Sequence, residues 1–170
     1  MRVNQEIIDK CKNERLKASL KKLYSFNPYY SLLEGDIQSY VRVFESVGRV
    51  PEELKEWLKI FDGGFLFSVS MFSTKTHVNG QGDFLSFSEI NSDEFKEQND
   101  IPKEVVCFAM TNYGNYYFFD SESKDEKIYE WDAEECAAIE EWDSFSDWLD
   151  TQITNAESDI DAGLLDPMED

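Results

Sequence analysis

The apolar pattern along the chain changes period twice and predicts a helical start, a strand-rich middle and a helical end. Over residues 4–23, Ile7 and Cys11 share one face, as do Leu16, Leu20 and Leu23, while Lys10, Lys12, Arg15, Lys17, Lys21 and Lys22 lie opposite. That spacing predicts one helix, ended by Phe26-Asn27-Pro28 because proline cannot continue it. Ile37, Tyr40, Val41, Phe44 and Val47 repeat at helical spacing between Asp36, a good N-cap, and Gly48, a natural stop. A third helix follows Pro51, a favoured first-turn residue, with Glu52 and Glu53 at the positive end of its dipole. Leu54, Trp57, Leu58 and Phe61 form its apolar stripe, and Gly63-Gly64 is read as its close.

From Phe65 the period falls to two. Phe65, Phe67, Val69 and Met71 alternate with polar positions and predict one strand. A loop containing His77, Asn79-Gly80 and Gly82 then leads to a second strand, Phe84 to Ile90. Residues 92–99 read as a short helix or a loop. Val105 to Met110, Tyr116 to Asp120 and Lys127 to Trp131 complete an antiparallel meander, joined by the turn Asn112-Tyr113-Gly114-Asn115 and a polar loop. Ala133 to Glu141 is predicted as a short helix. Ser144 caps a firmer one, with Phe145, Trp148, Leu149 and Ile153 on its apolar face. The pattern therefore predicts an α+β fold: a mainly antiparallel twisted sheet of five or six strands with helices at both ends. Residues 1–156 form one domain, of which 1–35 are an N-terminal helical extension. Residues 157–170, ESDIDAGLLDPMED, are predicted to be an acidic tail, disordered or loosely attached.

Charge sharpens this picture. The 170 residues hold 16 Lys and Arg against 36 Asp and Glu, a formal net charge of −20. Residues 1–50 carry nine basic and six acidic groups; residues 121–170 carry two and eighteen. The excess of acid argues against binding bare nucleic acid or anionic lipid, both of which need clustered Lys and Arg. It favours a basic partner or simply high solubility. The basic face of the first helix could hold an acidic ligand, although a solvated face that offsets acid elsewhere is the simpler reading.

Three cysteines, Cys11, Cys107 and Cys136, are odd in number and lack CxxC spacing. They predict reduced thiols in a cytoplasmic protein. The N-terminus has no apolar stretch of signal-peptide length. The longest apolar segment, Phe65 to Phe72, is broken by Ser68 and Ser70 and falls far short of the roughly 20 residues that span a bilayer.

Catalytic chemistry is faint. His77 is the only histidine, so any nucleophile–histidine pair would depend on it, and no neighbour marks a nucleophile. One histidine and three scattered cysteines make no zinc ligand pairs, and no dinucleotide or phosphate-binding glycine loop is present. The loop Asp120 to Lys127 places Lys124 where a calcium loop needs an oxygen. The neighbouring pairs Glu134/Glu135 and Glu140/Glu141 diverge on a helix, so they read as a solvated or binding surface rather than an acid–base pair. No catalytic residue, cofactor or metal is predicted.

The order of the pieces is informative. A Pro-Glu-Glu helix ending in Gly-Gly (Pro51 to Gly64) precedes a strand–turn–strand ending in aspartate (Val105 to Asp120). A strand ending in Trp131 and a Ser-Phe-x-x-Trp-Leu helix (Ser144 to Leu149) follow. This arrangement, over residues 36–153, resembles the SUKH superfamily, which contains yeast Smi/Knr-type regulators of cell-wall synthesis and bacterial toxin-immunity proteins. Asp62 stands where the family often has asparagine. The resemblance implies helices packed on a twisted antiparallel sheet and a non-enzymatic protein-binding role. For an immunity protein it implies neutralisation of a cognate toxin, often a nuclease. The alternative is an interaction scaffold of the Smi/Knr type. A nuclease toxin needs a basic surface for phosphate, so clustered carboxylates suit its inhibitor. The predicted contact surface combines aromatic anchors with acid: Tyr113, Asn115, Tyr117, Asp120, Trp131, Asp132, Glu134, Glu135, Glu140, Glu141 and Trp142. Tyr113 and Trp142, beside turn and acid, are the stronger anchors, whereas Trp131 and Trp148 fit the core better.

Overall fold

A computed structural model describes residues 1–75 and 86–169. Its centre is a seven-stranded antiparallel sheet whose spatial order equals its sequence order. The strands are β1 (Tyr30–Glu34), β2 (Phe61–Leu66), β3 (Val69–Met71), β4 (Val105–Met110), β5 (Tyr116–Asp120), β6 (Ile128–Asp132) and β7 (Ala137–Trp142). The helices are α1 (Gln5–Lys10), α2 (Glu14–Tyr24), α3 (Ile37–Phe44), α4 (Glu52–Ile60), α5 (Phe87–Ile90), α6 (Asp93–Gln98) and α7 (Phe145–Asp161). The α+β class and the antiparallel meander are as expected, with more strands than the five or six predicted.

Helix α7 is the keystone of one face. Ser144 caps it by accepting the Asp147 amide. Its Trp148 is fully buried and meets Phe108, Tyr117 and Phe145 with ring centroids 5.1–5.3 Å apart. Trp57 of α4 packs on Phe145 and Phe61. Helix α2 is clamped to α7: Arg15 reaches Asp147 and Asp150 at 2.7 and 2.8 Å, Lys22 reaches Asp150 at 3.0 Å, and the Ser19 hydroxyl donates to Asp150 at 2.8 Å. The start of α4 is held by distant acid as well, because the Glu126 carboxylate accepts the Glu52 amide at 2.8 Å and pairs with Arg49. On the other face, Phe95 of α6 meets Tyr116 edge-on. Strand β3 is too short to cover all of β4. Beyond its end, the Asn91 carboxamide replaces a strand, accepting the Cys107 amide and donating to the Cys107 carbonyl, both at 2.8 Å.

Five expectations are corrected and one strand is added. The helix over 4–23 is two helices, because Asn13 caps a second start by accepting the Leu16 amide. Tyr30–Glu34, unassigned by pattern, pairs with β2 as an edge strand. Gly63-Gly64 does not close α4, which ends at Ile60; both glycines lie inside β2 at φ +86° and +111°. The alternating run from Phe65 to Met71 is a hairpin of two strands. Phe67 turns at φ +57° and is anchored edge-on by Phe26 and Tyr30. Phe87–Ile90 is helical behind a Ser86/Glu89 capping box, while Phe84 and Leu85 lie outside the described residues, as do His77, Asn79, Gly80 and Gly82. Ala133 to Glu141 is a turn and then strand β7, since pairing with β6 outweighs its helical composition.

The chain also departs from a loose tail at Glu157. Helix α7 passes that residue and continues to Asp161. Beyond it, the Met168 amide donates to the Pro28 carbonyl at 2.6 Å, and Arg2 donates to the Met168 carbonyl at 2.8 Å. Leu165 packs partly on the core.

Candidate functional site: an acidic sheet edge

The meander order makes β7 an edge strand, and its face is open: Ala137, Ala138, Ile139, Glu140 and Glu141 are all exposed. A bulge falls where Glu130 pairs with Glu140 but Trp131 pairs with Ala138, leaving Ile139 as the extra residue. A bulge and charged side chains both blunt a sheet edge against self-pairing.

At one end of this edge two turns are tied together by Asn115. Its backbone amide donates to Thr111 Oγ1 at 2.9 Å, its Nδ2 donates to Glu130 Oε2 at 3.2 Å, and its Oδ1 accepts the Ala133 amide at 3.3 Å. The tie places the Tyr113 turn beside the turn of residues 133–136. In that second turn the Asp132 carboxylate accepts the amides of Glu134 and Glu135, each at 2.9 Å, which sends both glutamate side chains outward. The resulting patch is Tyr113, 67% exposed, with Asp132, Glu134 and Glu135.

Behind Tyr113 lies Glu130, which the sequence reading did not single out. Its side chain is buried on the helix-facing side of β6, and its carboxylate accepts the Tyr113 hydroxyl at 3.2 Å. Burial raises the phenols of Tyr113 and Tyr117, and the neighbouring Glu130 charge raises them further. The signal was present in the pattern: Glu130 shares a strand face with Ile128, so an acid fell on an inward position. Across the ladder Glu130 opposes Glu140, a like-charge pair that costs stability.

The remaining predicted residues divide. Trp131 is buried on the opposite face, edge-on to Phe118, as a core residue. Tyr117 is buried between Trp142 and Trp148. Trp142 is half-buried, donates its indole N–H to Thr151 at 3.1 Å and packs on Tyr117, so it braces α7. Asp120 and Glu141 lie toward the far end of the sheet. Asp120 accepts the Glu122 amide, and Glu141 pairs with Lys127 at 3.2 Å. The structure thus gathers Tyr113, Asn115, Asp132, Glu134 and Glu135 and separates them from Asp120, Glu141 and Trp142.

Among the described residues, no group of three His, Cys, Asp or Glu side chains is placed to hold a metal ion. No described helix is long and apolar enough to cross a membrane. The buried thiols of Cys11 and Cys107 are both pushed up to about 12, first by burial. Such thiols are poor nucleophiles.

The profile of the SMI1 / KNR4 family (SUKH-1) matches residues 45–151. The chain belongs to this family. The match runs from the end of α3 to the second turn of α7 and so contains the Gly-Gly strand, the Asn115 tie and the acidic edge. No curated protein matches the chain. The family includes toxin-immunity proteins and Smi/Knr-type members, and it is generally non-catalytic.

Proposed function

We propose that this protein is an immunity protein that binds a cognate, basic toxin through the acidic edge of its sheet. One observation carries the reading. Asp132, Glu134, Glu135 and Glu140 meet no cation within 4.0 Å among the described residues, whereas Asp147, Asp150, Glu126 and Glu141 are each paired. A folded chain that leaves four carboxylates unneutralised beside one exposed tyrosine bears a repulsive field that a basic partner would relieve. The same field speeds encounter with such a partner. Tyr113 supplies a rigid aromatic contact whose hydroxyl is already oriented by Glu130. A nuclease suits this chemistry, since its phosphate-binding surface is basic. Binding needs no cofactor and no catalytic step.

Co-expression tests the proposal. The protein should rescue cells from the toxin encoded beside its own gene, and E134K/E135K should weaken the complex and flatten its salt dependence. Failure to rescue any neighbouring toxin removes the proposal; unchanged affinity in the double variant removes the surface. The family profile also carries the SMI1 / KNR4 name, which supports a second reading as an interaction scaffold of the Smi/Knr type. Pull-down of several housekeeping partners rather than one toxin would favour it.

A further inference from the structure

The N-terminal half carries a surface of opposite character. Two adjoining cavities of about 520 and 330 Å³ share Ile37, Glu52, Lys55 and Lys59 and form one groove between α1, α3 and α4. Its floor is apolar. Ile7 and Ile60 line one end, and Ile37 and Val41, one helical turn apart on α3, stand 65% and 38% exposed. Four lysines, Lys10, Lys12, Lys55 and Lys59, converge on this floor. Lys12, Lys55 and Lys59 meet no carboxylate within 4.0 Å among the described residues, and Lys10 has only the exposed Glu6 of its own helix. Of the three glutamates in the combined lining, Glu45, Glu52 and Glu56, the last accepts the amides of Lys12 and Asn13 at 2.5 and 3.1 Å. Lys59 Nζ lies 5.2 Å from the Tyr40 ring centroid, which holds that side chain along the groove.

In a chain of net charge −20, a lysine-rimmed groove with uncovered isoleucine is a local reversal. Screening confines its field to about 8 Å at physiological salt, so a short ligand seated there responds to the lining, where four lysines outnumber Glu45, Glu52 and Glu56, and not to the distant acid. The apolar floor requires an apolar payload, which phosphate or sugar does not carry. A long polyanion would be repelled by the rest of the surface. We propose that this groove is a second docking site that takes an acidic amphipathic segment of a partner protein. Apolar side chains one turn apart fill the space over Ile7, Ile37 and Ile60, and flanking carboxylates meet the four lysines. The site is separate from the acidic edge, so the protein can hold a basic and an acidic partner surface at once.

The test uses the full chain and a short fluorescein-labelled peptide of glutamate and leucine, with leucines repeating every three and four residues. Its control is the same peptide with lysine for glutamate. Fluorescence anisotropy should show saturable, salt-sensitive binding of the acidic peptide. K55E/K59E and I37D should each weaken it roughly tenfold or more, with unchanged circular dichroism. K17E/K21E makes the same net charge change outside the groove and should leave binding as it was. If K55E/K59E does not fold, K10E/K12E takes its place. Absence of saturable binding overturns the proposal, as does equal loss in K17E/K21E, which would reduce the effect to net charge. Preference for phosphatidylserine vesicles, or self-association abolished by K55E/K59E, would assign the groove to lipid or to a second copy and overturn the stated occupant.

Discussion

Gly64→Ala should be among the most damaging single-methyl additions to this fold, and Gly114→Ala gives its scale. Both glycines have left-handed backbone, at φ +111° and +94°. Placing alanine there costs about 1–2 kcal/mol in local strain, offset by about 0.4–1 kcal/mol because alanine stiffens the unfolded chain. At Gly114 nothing lies within 4 Å of the added Cβ, so a net cost of about 1 kcal/mol is the whole effect. At Gly64 the Cβ would sit 2.5 Å from the Ser31 carbonyl oxygen and 2.8 Å from the Leu32 Cα. These are backbone atoms of the paired strand, since Leu32 is the cross-strand partner of Gly64. They cannot swing aside as a side chain would. Strand β1 must move by nearly 1 Å, which strains or breaks one or two ladder hydrogen bonds at about 1 kcal/mol each and opens packing under the buried Leu32. The total for Gly64→Ala is about 3 kcal/mol or more. For a chain of 170 residues that corresponds to a melting shift of about 6–12 °C, against about 2–4 °C for Gly114→Ala. Urea denaturation followed by tryptophan fluorescence measures both. If Gly64→Ala fell within about 0.5 kcal/mol of Gly114→Ala at unchanged m-value, close backbone approach would not be what the Gly-Gly pair supplies.

Two further outcomes follow from the charged groups. Burial alone would raise the Asp150 carboxyl, but hydrogen bonds from Ser19, Lys22 and Arg15 hold it below the usual range. Its contribution is therefore full above the unfolded carboxylate value, about 3.9, and is lost as pH falls through the lower folded value. D150N should cost about 1–2 kcal/mol at neutral pH, and acid titration of stability should show the two proteins converging below that range. For Glu130, E130Q removes the negative charge beside Tyr113 and Tyr117 while burial stays. Alkaline titration by ultraviolet absorbance should then show a tyrosine ionising at lower pH than in the parent, and an unchanged profile would contradict the coupling.

How much of this was legible depended on whether an element is specified locally. The α4 stripe of Leu54, Trp57 and Leu58 and the Ser144 cap of α7 are short-range signals, and both stand where the pattern put them, although Phe61, read as the end of that stripe, opens β2. Strands β4, β5 and β6 carry dense aromatic and β-branched runs and were equally clear. Strand β7 was not legible, because Ala-Ala-Ile-Glu-Glu-Trp has helical composition and becomes a strand only through its ladder with β6. The turn at Phe67 was hidden for a related reason: no glycine marks it, and two remote rings, Phe26 and Tyr30, hold it. Of the predicted site, side chains near turns were placed better than those inside strands. Tyr113 is exposed, but alternation alone could not say that Trp142 braces α7.

The charge distribution also means something different in three dimensions. Along the sequence, the basic first fifty residues and the acidic last fifty look like two separate surfaces. In the fold they partly cancel, because Arg15 and Lys22 of α2 lie against Asp147 and Asp150 of α7, and Arg49 lies against Glu126. Two of the four basic residues of α2, Arg15 and Lys22, are therefore spent on docking α7, as are Asp147 and Asp150 in the first turns of α7. Among the charges left unpaired are two grouped sets: Asp132, Glu134, Glu135 and Glu140 along the sheet edge, and Lys12, Lys55 and Lys59 around the groove. Exposed paired charges contribute little free energy and little net field. The charges that neutralise each other thus orient the helices more than they stabilise them, and the proposed recognition of partners rests on grouped charges that stay unpaired.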